Sequence, residues 1–393
     1  MKIRLHEPTF GEDEIAAAVD VLRNTQVTHG EKVREFERQF AAASEVTHGI
    51  AVNSGSSANL LLVSALTNPA TAGRLYPGDE VIVPALSWST TVWPLVQHGL
   101  IPVIVDIDPG TFNISPEQVE RATSRRTRGL MPVHVYGNPC SMDALVDLAV
   151  SYDLELIEDC CEALGAAYRG QPVGTFGRGG TFSFYYSHHM TTIEGGMVLT
   201  RSAYLAERMR ILRAHGWTRD VEFPQDYAHE GIDPRFTFVD VGYNLRMNEV
   251  QAAIGLVQLP KLPGFVETRR ANAHAWTADL AKWGDFFSFQ EETLDGRSSW
   301  FGFSIVLKPA AHFSVAEIRD YLGRAGIETR PIICGNIARQ PGMQLYPHRV
   351  VGDLRHANNI MDRAFSFGNH QAIGPAERGY VTGVIDDFMR ARA

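Results

Sequence analysis

The feature that most constrains the fold is a regular alternation of short apolar runs with helical patterns. Five runs are typical of buried strands: "DEVIVPAL", "IPVIVDID", "LMPVHVY", "LELIEDC" and "TFSFYY". Segments such as "SPEQVERATS" and "SMDALVDLAVSY" lie between them and predict helices; in the first, Ser115 caps, Pro116 follows and Gln118 reaches back. Strand–helix–strand repetition with right-handed crossovers predicts an α/β fold with a large, mainly parallel sheet.

The pattern changes after residue 258. The helical stretch "MNEVQAAIGLVQL" stops before Pro260, and then come a strand-like "WFGFSIVL", a helix capped by Ser314 with Glu317, a strand-like "IETRPI" and a closing helix. A chain of 393 residues exceeds the size at which one core usually stops growing. We therefore predict a large α/β domain over 1–258 and a smaller α+β domain over 259–393.

Charge and cysteine usage narrow the class of protein. A net charge of −9 argues against nucleic acid or an acidic membrane surface as the partner. No run approaches 18 apolar residues, and the first residues lack a signal-peptide core, so no membrane association is expected. The cysteines, Cys140, Cys160, Cys161 and Cys334, show no zinc spacing, which fits a reducing cytoplasm.

A candidate phosphate site lies in "VNSGSSANLL". The turn Gly55-Ser56-Ser57 enters an apolar helix, so its backbone amides face outward at the positive end of the helix dipole. The stretch is neither a Walker loop nor a GxGxxG motif. An ordinary capped helix start is the alternative interpretation.

Two further candidates follow predicted strands. Asp159 ends "LELIED", and its carboxylate would suit a positively charged ring nitrogen, because ligands gather at the carboxyl ends of parallel strands. Trp88 in "PALSWSTT" would stack on a flat cofactor. Asp159 as the cap of a turn and Trp88 as a core residue are the alternatives.

Two adjacent histidines, His188 and His189, follow the strand-like "TFSFYY". Successive side chains of a strand point to opposite faces, so one of the two would face a given pocket if strand geometry persists. A single histidine is more often a satisfied structural residue than a catalyst, and that alternative stays open here.

Several ordered motifs together resemble one enzyme family. They are "TFGEDEI", "GDEVIVPALSW", "PVHVYGNP", "IEDCCEALGA", "TFSFYYSHHMTTIEGGMVLT", "HGW" and "GYNLRMNEVQAAIGLVQL". The chain resembles the DegT/DnrJ/EryC1/StrS sugar aminotransferases of fold type I, over nearly its whole length. The resemblance implies pyridoxal 5'-phosphate as cofactor and a nucleotide-linked 4-keto sugar as substrate.

One position departs from the aminotransferase pattern. Where the family has the lysine that holds the cofactor as a Schiff base, this chain has His188. The chain has five lysines, and none lies between residues 33 and 260. Imidazole forms no stable imine but can act as a base near neutral pH. We therefore expect a cofactor held non-covalently, as pyridoxamine 5'-phosphate, with His188 rather than His189 as the base.

This departure resembles the His-bearing 3-dehydratase branch, which makes 3,6-dideoxy sugars. The segments "SHHMTTIEGG", "AHGWTRD", "SSWFGFSIVL" and "GIETRPIICGNIARQP" support that likeness. The resemblance implies removal of the C3 hydroxyl from a nucleotide-linked 4-keto-6-deoxyhexose, with GDP-4-keto-6-deoxy-D-mannose of colitose and O-antigen biosynthesis as the nearest pattern. L-Glutamate would regenerate the cofactor and ammonia would be released.

An iron–sulfur cluster and its reductase partner are not expected. A cluster needs four ligands, and Cys334 is the one cysteine in the C-terminal half of the sequence.

The family often has proline at the position of Tyr186, so the loop before His188 is expected to differ.

The resemblance also implies roles for individual residues. The amides of Ser56 and Ser57 and the hydroxyl of Ser183 would hold the phosphate, and Asn244 would reach it from a neighbouring subunit, which implies a homodimer.

Trp88 would stack on the pyridine ring, and Asp159 would keep its nitrogen protonated. Glu162 stands where aminotransferases often have glutamine, near the ring hydroxyl. His215 would be a second polar contact, and Arg330 would meet the substrate or form a structural salt bridge.

Two rival functions remain at this point. The chain could be a sugar 4-aminotransferase with an unusual base, which would keep nitrogen in its product. It could also be a non-catalytic homologue that binds sugar nucleotides.

Overall fold

The computed structural model describes residues 1–392, and an eight-stranded sheet organises most of them. The strands in chain order are β1 (His48–Val52), β2 (Glu80–Pro84), β3 (Ile101–Val105), β4 (Thr127–Leu130), β5 (Glu155–Asp159), β6 (Ala167–Tyr168), β7 (Gln171–Pro172), β8 (Gly179–Ser183), β9 (Gly196–Thr200), β10 (Phe287–Phe289), β11 (Gly296–Arg297), β12 (Gly302–Leu307), β13 (Thr329–Arg330), β14 (Arg349–Val350) and β15 (Ala364–Gly368). The large sheet has the order β1-β9-β8-β5-β4-β2-β3-β14.

Helices cover this sheet and the smaller ones. In chain order the α-helices are α1 (Glu12–Asn24), α2 (Glu31–Ala43), α3 (Gly55–Thr67), α4 (Ser89–Gln97), α5 (Pro116–Ala122), α6 (Met142–Ser151), α7 (Ala203–Arg213), α8 (Glu249–Gln258), α9 (Leu262–Leu280), α10 (Val315–Arg324), α11 (Arg355–Arg363) and α12 (Pro375–Arg390). No helix within residues 1–392 combines the length and apolar character needed to span a bilayer.

The predicted α/β class is confirmed. Six strands of the large sheet run parallel to one another: β14, β3, β2, β4, β5 and β8. Strand β9 pairs antiparallel with both β8 and β1. All residues of β2, β8 and β9 are buried, because helices cover both faces of the sheet. The carboxyl ends of the parallel strands therefore share one edge.

One predicted strand is shorter than its apolar run. In "LMPVHVY" the strand ends at Leu130, and only Val133 makes a further single bridge, to Asp159. Pro132 has no backbone N–H to give to a neighbouring strand, which is the physical reason for the early end. The chain then forms a tight turn in which Tyr136 has a left-handed φ of 55°.

The helix caps show what a local pattern can determine. Ser314 and Glu317 form the reciprocal capping box of α10. At α5 the Ser115 hydroxyl accepts the Gln118 N–H, but within residues 1–392 no bond returns from the Gln118 side chain. The box expected there is therefore only half formed.

A second, antiparallel sheet has the order β10-β12-β15-β13 and is built from residues after 286. Its aromatic core includes Trp276, Phe303 and Phe367. Residues from outside 259–393 also join it, since Ile3 packs in the same core, while β14 returns to the large sheet. The domain boundary at residue 258 stays a prediction. Residues from before it pack with the second sheet, and a strand from after it joins the large sheet.

Candidate functional site

A cleft of about 360 Å³ opens at the carboxyl edge of the large sheet, between β5, β8 and the start of α3. It brings together eight residues singled out from the sequence: Gly55, Ser56, Trp88, Asp159, Glu162, Ser183, His188 and Arg330. These residues come from separate strands and loops, and Arg330 comes from the second sheet. The arrangement matches the position at which parallel α/β sheets bind ligands.

The first wall of the cleft is the amino end of α3. The Ser54 hydroxyl caps the helix by accepting the Ser57 N–H at 3.1 Å, so the Ser57 amide is already engaged. The amides of Gly55 and Ser56 have no protein acceptor among residues 1–392. They point out of the positive end of the helix, as an anion site requires.

Gly55 allows α3 to approach β8 closely. A Cβ atom at Gly55 would lie 2.5 Å from Ser183 Cβ and 2.9 Å from Ser183 Oγ. Only a residue without a side chain fits between the helix and the strand here. The Ser183 hydroxyl therefore lies directly beside the free amides of α3.

Asp159 ends β5 as a carboxylate that is 4% exposed and held by three donors. Asn59 Nδ2 and Thr91 Oγ1 donate to Oδ2 at 3.0 and 2.7 Å, and Cys161 N donates to Oδ1 at 3.1 Å. Three donors fix the orientation of the carboxylate. A buried anion on the wall of a cleft is suited to a cationic ring nitrogen.

Trp88 caps the amino end of α4 and is 55% exposed. So large an exposed apolar surface inside a cleft excludes the interpretation as a core residue. Its indole offers a flat face to a flat ligand.

The strand that leads to the histidines stops at Ser183, five residues before His188. The histidines therefore lie in a turn, and the alternation of a strand does not decide which one faces the cleft. The turn returns tightly to Gly195 and Gly196, where a Cβ at Gly196 would lie 2.4 Å from Ser54 O. This packing carries the turn against the amino end of α3.

His188 lines the cleft, and its ring is hydrogen-bonded to the backbone carbonyl of Ser183. Nδ1 lies 3.3 Å from the Ser183 carbonyl oxygen. Because a carbonyl only accepts, the proton of the neutral ring is on Nδ1 and Nε2 carries the free lone pair. Desolvation lowers the pKa of His188 to about 4, so the ring is a neutral base near pH 7.

His189 is fully buried and absent from the cleft wall. Its Nε2 donates to the Ser299 carbonyl oxygen at 3.1 Å. Desolvation holds its pKa well below 6.5. The two neighbouring histidines therefore occupy different environments, one at the cleft and one in the interior.

Glu162 and Arg330 face each other across the cleft, with Glu162 Oε1 3.9 Å from Arg330 Nη2. Burial raises the pKa of Glu162 to about 7, and the charge of Arg330 opposes that rise. Arg330 also donates to the Tyr136 hydroxyl at 3.2 Å and lies over the Phe301 ring, 5.1 Å from its centroid. The salt bridge and the cleft position predicted for Arg330 therefore coexist.

Two predicted residues lie away from the cleft of their own chain. His215 and Asn244 are both exposed, on segments joined by a bridge between Ala214 and Asn244. Neither lines the cleft. The expected role of Asn244 involves a second subunit and stays a prediction, as does the role of His215.

Other residues that line the cleft or support Asp159 were not singled out from the sequence. Asn59 and Thr91 stand within "GSSANL" and "SWSTT", close to residues that were, so their polarity beside those motifs was an available signal. Tyr185, Ser187, Glu194 and Phe301 also line the wall. Phe301 arrives from more than 100 residues away, and no local pattern predicts that contact.

A buried trio, His134, Glu158 and Cys160, has ligand atoms close enough for a metal ion. Its polar atoms are already engaged, since Glu158 accepts from His134 Nε2 and from three backbone amides of the segment 174–177. His134 Nδ1 accepts the Cys140 N–H at 3.0 Å. The cluster is a hydrogen-bonded support for the end of β5.

Comparison with known proteins agrees with this geometry. The family model for the DegT/DnrJ/EryC1/StrS aminotransferase family matches residues 8–386. The chain therefore belongs to this family.

Relatives within the family include named 3-dehydratases. A GDP-4-keto-6-deoxy-D-mannose 3-dehydratase of Yersinia pseudotuberculosis is 39% identical, covering 93% of this chain and 94% of its own. A dTDP-4-dehydro-2,6-dideoxy-D-glucose 3-dehydratase of Saccharopolyspora spinosa is 37% identical, covering 98% and 86%. The solved E. coli GDP-4-keto-6-deoxy-D-mannose-3-dehydratase with bound hydrated PLP superposes with a TM-score of 0.93, at 37% identity over 98% of this chain and 99% of that one.

Proposed function

We propose that this chain is a coenzyme-B6-dependent 3-dehydratase of nucleotide-linked 4-keto-6-deoxyhexoses, with GDP-4-keto-6-deoxy-D-mannose as substrate. The observation that carries the proposal is the imidazole of His188 on the cleft wall, in a cleft without lysine among the described residues. A lysine-free site retains a base and lacks a covalent tether for the cofactor. The named dehydratase relatives support the substrate class.

The cleft fits pyridoxal or pyridoxamine phosphate held non-covalently. The Gly55 and Ser56 amides with the Ser183 hydroxyl form an anion cradle, which a Cβ at Gly55 would fill. Asp159, fixed by its three donors, would hold the ring nitrogen protonated, and Trp88 would cover one ring face. When bound, pyridoxamine phosphate supplies an amine for the C4 ketone and an electron sink that drives loss of the C3 oxygen.

His188 does the proton transfer in this proposal. Ser183 O holds Nδ1–H, so Nε2 is the nitrogen that takes a proton at the carbon joining cofactor and substrate. A neutral ring at pH 7 is ready to accept it. The protonated Nε2 can then give the proton to the departing C3 hydroxyl, so that it leaves as water.

Arg330 and Glu162 supply the charge pair of the cleft. The Arg330 guanidinium, stacked on Phe301 and bonded to Tyr136, is a fixed cation for an anionic or hydroxyl group of the substrate. Glu162, with a pKa of about 7, can hold or release a proton beside the ring hydroxyl of the cofactor. L-Glutamate would regenerate the amine form of the cofactor, with ammonia released from the product.

The proposal extends to the assembly and the place of action. A homodimer would bring Asn244 and His215 of one subunit towards the cleft of the other, which suits two exposed polar residues on a segment rich in exposed apolar side chains. The cysteines are unpaired within the described residues, as a cytoplasmic enzyme would have them. A deoxysugar of lipopolysaccharide O-antigen, such as colitose, is the proposed destination.

The proposal is tested by mass spectrometry of the sugar product. The purified protein is incubated with pyridoxal phosphate, L-glutamate and, separately, GDP-, dTDP- and CDP-4-keto-6-deoxyhexoses. The expected result is a GDP sugar that has lost the C3 oxygen, with ammonia and 2-oxoglutarate formed. The same product from the dTDP sugar alone would overturn the choice of nucleotide and leave the reaction class intact.

A sugar 4-aminotransferase is the second candidate, because the family is named for that activity. A product with nitrogen at C4 and oxygen at C3 would establish it and contradict the dehydratase. If no sugar reacts although pyridoxal phosphate binds, a non-catalytic sugar-nucleotide-binding role would replace both.

A further inference from the structure

The second histidine of the pair has a bond that the proposed reaction does not use. His189 is completely buried, and its Nε2 donates to Ser299 O at 3.1 Å. Its Nδ1 is buried without a partner among residues 1–392. Among the described residues, the His189 imidazole therefore makes one hydrogen bond, to the Ser299 carbonyl oxygen.

The acceptor belongs to a short segment, residues 298–301, which we call the strap. On one side the strap pairs with the turn after β4, as Ser299 N donates to Gly137 O at 2.9 Å and Phe301 N to Tyr136 O at 2.8 Å. These bonds, with that of His189, attach the strap to the elements of the large sheet.

On its other side the strap is held by residues that follow residue 258. Arg269 Nη1 donates to Phe301 O at 3.0 Å, and Asn369 Nδ2 donates to Trp300 O at 3.1 Å. Trp300 has a left-handed φ of 48°, a conformation that an indole-bearing residue adopts only when its surroundings impose it. The strap is therefore a fixed link between the two halves of the molecule.

The strap ends in the residue that touches the catalytic base. The Phe301 ring meets the His188 ring edge-on, with centroids 5.1 Å apart and planes at 86°. It also contacts His189 at 5.6 Å. The Phe301 ring therefore packs against the His188 ring and limits its rotation.

We propose that His189 is a positioning residue whose hydrogen bond to Ser299 sets the strap, so that Phe301 keeps the His188 ring in the orientation that exposes Nε2. The inference rests on the proposed function for its catalytic consequence. Its structural part, the coupling of the His189 bond to the His188 tautomer, stands independently. Loss of the bond lets Ser299 and the Phe301 ring shift locally while the other bonds of the strap remain, and the His188 ring then exchanges between its two neutral tautomers.

The variants are chosen to separate this role from simple support of the fold. His189→Leu fills a similar volume without a donor, and His189→Gln returns a donor near the position of Nε2. His370 is the matched control, because it too is buried, bonds a backbone carbonyl (Arg4 O, 3.2 Å) through Nε2 and leaves Nδ1 without a partner among the described residues. His370→Leu therefore reproduces the loss of one buried imidazole without contact to His188.

The primary readout is nitrogen-15 NMR of His188 in the cofactor-free protein. The wild type is expected to show the Nδ1–H tautomer, His189→Leu a mixture of both tautomers, and His189→Gln mostly the wild-type form. His370→Leu is expected to lower the melting temperature and leave the His188 signals in place. Unchanged His188 signals in His189→Leu, with a lower melting temperature alone, would overturn the proposal.

Kinetics give the second readout. His189→Leu should lower kcat about tenfold or more with the KM for the sugar nearly unchanged, and His189→Gln should recover most of kcat. If His189→Leu fails to fold, Phe301→Leu keeps the strap backbone and must shift the His188 tautomer by itself, or the proposal fails. A changed tautomer in a protein without dehydratase activity would refute the proposed function and support the positioning role.

Discussion

At the scale of single residues, the chemistry depends on where each proton sits. The carbonyl of Ser183 assigns the proton of neutral His188 to Nδ1, and the buried cleft wall keeps the ring unprotonated near pH 7. The next residue, His189, has the same side chain in a dry interior and serves a backbone carbonyl. Identical neighbouring side chains therefore differ in burial and in hydrogen bonding because their surroundings differ.

Replacing His188 by asparagine is expected to abolish turnover while preserving the site. Asparagine can still donate to Ser183 O but has no basic nitrogen, so kcat should fall by about 10²–10⁴-fold, the usual contribution of a general base. Absorbance titration with pyridoxamine phosphate and single-turnover kinetics measure the two effects. Turnover at the wild-type rate would remove His188 from the mechanism.

Glu162 is expected to make stability depend on pH. Its pKa is about 7 in the folded chain against 4.5 when unperturbed, so between these values the folded state holds the extra proton and stability falls as pH rises. The loss amounts to about 3 kcal/mol, at about 1.4 kcal/mol per pKa unit. Arg330 and Asp159 are the charged groups that face this carboxyl.

Urea unfolding of the cofactor-free protein from pH 5 to pH 8 measures this contribution. Glu162→Gln should gain stability relative to the wild type as pH rises, while the exposed Glu230→Gln should track the wild type throughout. A constant difference between Glu162→Gln and the wild type across this range would show that the carboxyl titrates normally.

At the scale of elements, the site depends on how closely α3 approaches β8. The Ser54 cap, the absence of a side chain at Gly55 and the tight turn at Gly195–Gly196 together place free amides beside the Ser183 hydroxyl. Each of these three features is local, but all of them bring α3 and β8 into contact. The anion cradle is thus a product of helix–strand packing.

Gly55→Ala is expected to open that contact. The added Cβ would meet Ser183 Cβ at 2.5 Å, so α3 and β8 must separate, at a cost of about 1–3 kcal/mol typical of overpacking. Phosphate and cofactor affinity should fall with stability. Gly379→Ala in α12, where a Cβ meets nothing within 4 Å, is the control and should stabilise by about 0.5–1 kcal/mol.

Thermal and chemical unfolding of both variants, with cofactor titration, test this expectation. Equal stability of Gly55→Ala and the wild type would mean that the helix and strand accommodate the methyl group, and that Gly55 has no special role in the cradle.

At the scale of the whole molecule, the cleft combines the large sheet with the strap and Arg330 of the C-terminal part. His215 and Asn244 remain outside it. The segment between His215 and Asn244 also carries exposed apolar residues: Phe223, Ile232, Phe236, Phe238 and Val241. A surface of this composition is suited to a second copy of the chain.

Subunit complementation tests whether active sites are shared. His188→Asn and Asn244→Leu should each be inactive alone, yet mixed subunits should regain up to about a quarter of wild-type activity, because each heterodimer contains one intact site. Sedimentation of the wild type should show a dimer. A monomer, or a mixture without recovered activity, would contradict the shared site.

Local sequence patterns predicted part of the fold and part of the cleft. Apolar runs and caps predicted the parallel α/β sheet, and motif likeness named eight of the residues that line the cleft, because strand ends and helix starts carry local signatures. Pro132, which ends a strand early, shows that one missing N–H outweighs an apolar run. At Ser115 the pattern predicted a reciprocal capping box, but only one of its two hydrogen bonds forms. The flexible Gln118 side chain has several rotamers, so the local sequence does not fix the second bond.

The sequence by itself determined the fold class, the loss of the lysine and the presence of a histidine in its place. Only the tertiary structure decided which nitrogen of His188 is basic, that His189 is bound to Ser299, and that Phe301 lies against both rings. The physical reason is that caps and strand periods act over a few residues, whereas the contacts of His188 and His189 with Ser299 and Phe301 join segments more than 100 residues apart that only packing brings together. The bond from His188 to Ser183 spans only five residues, but it depends on the turn that follows β8, which no repeat of the sequence indicates.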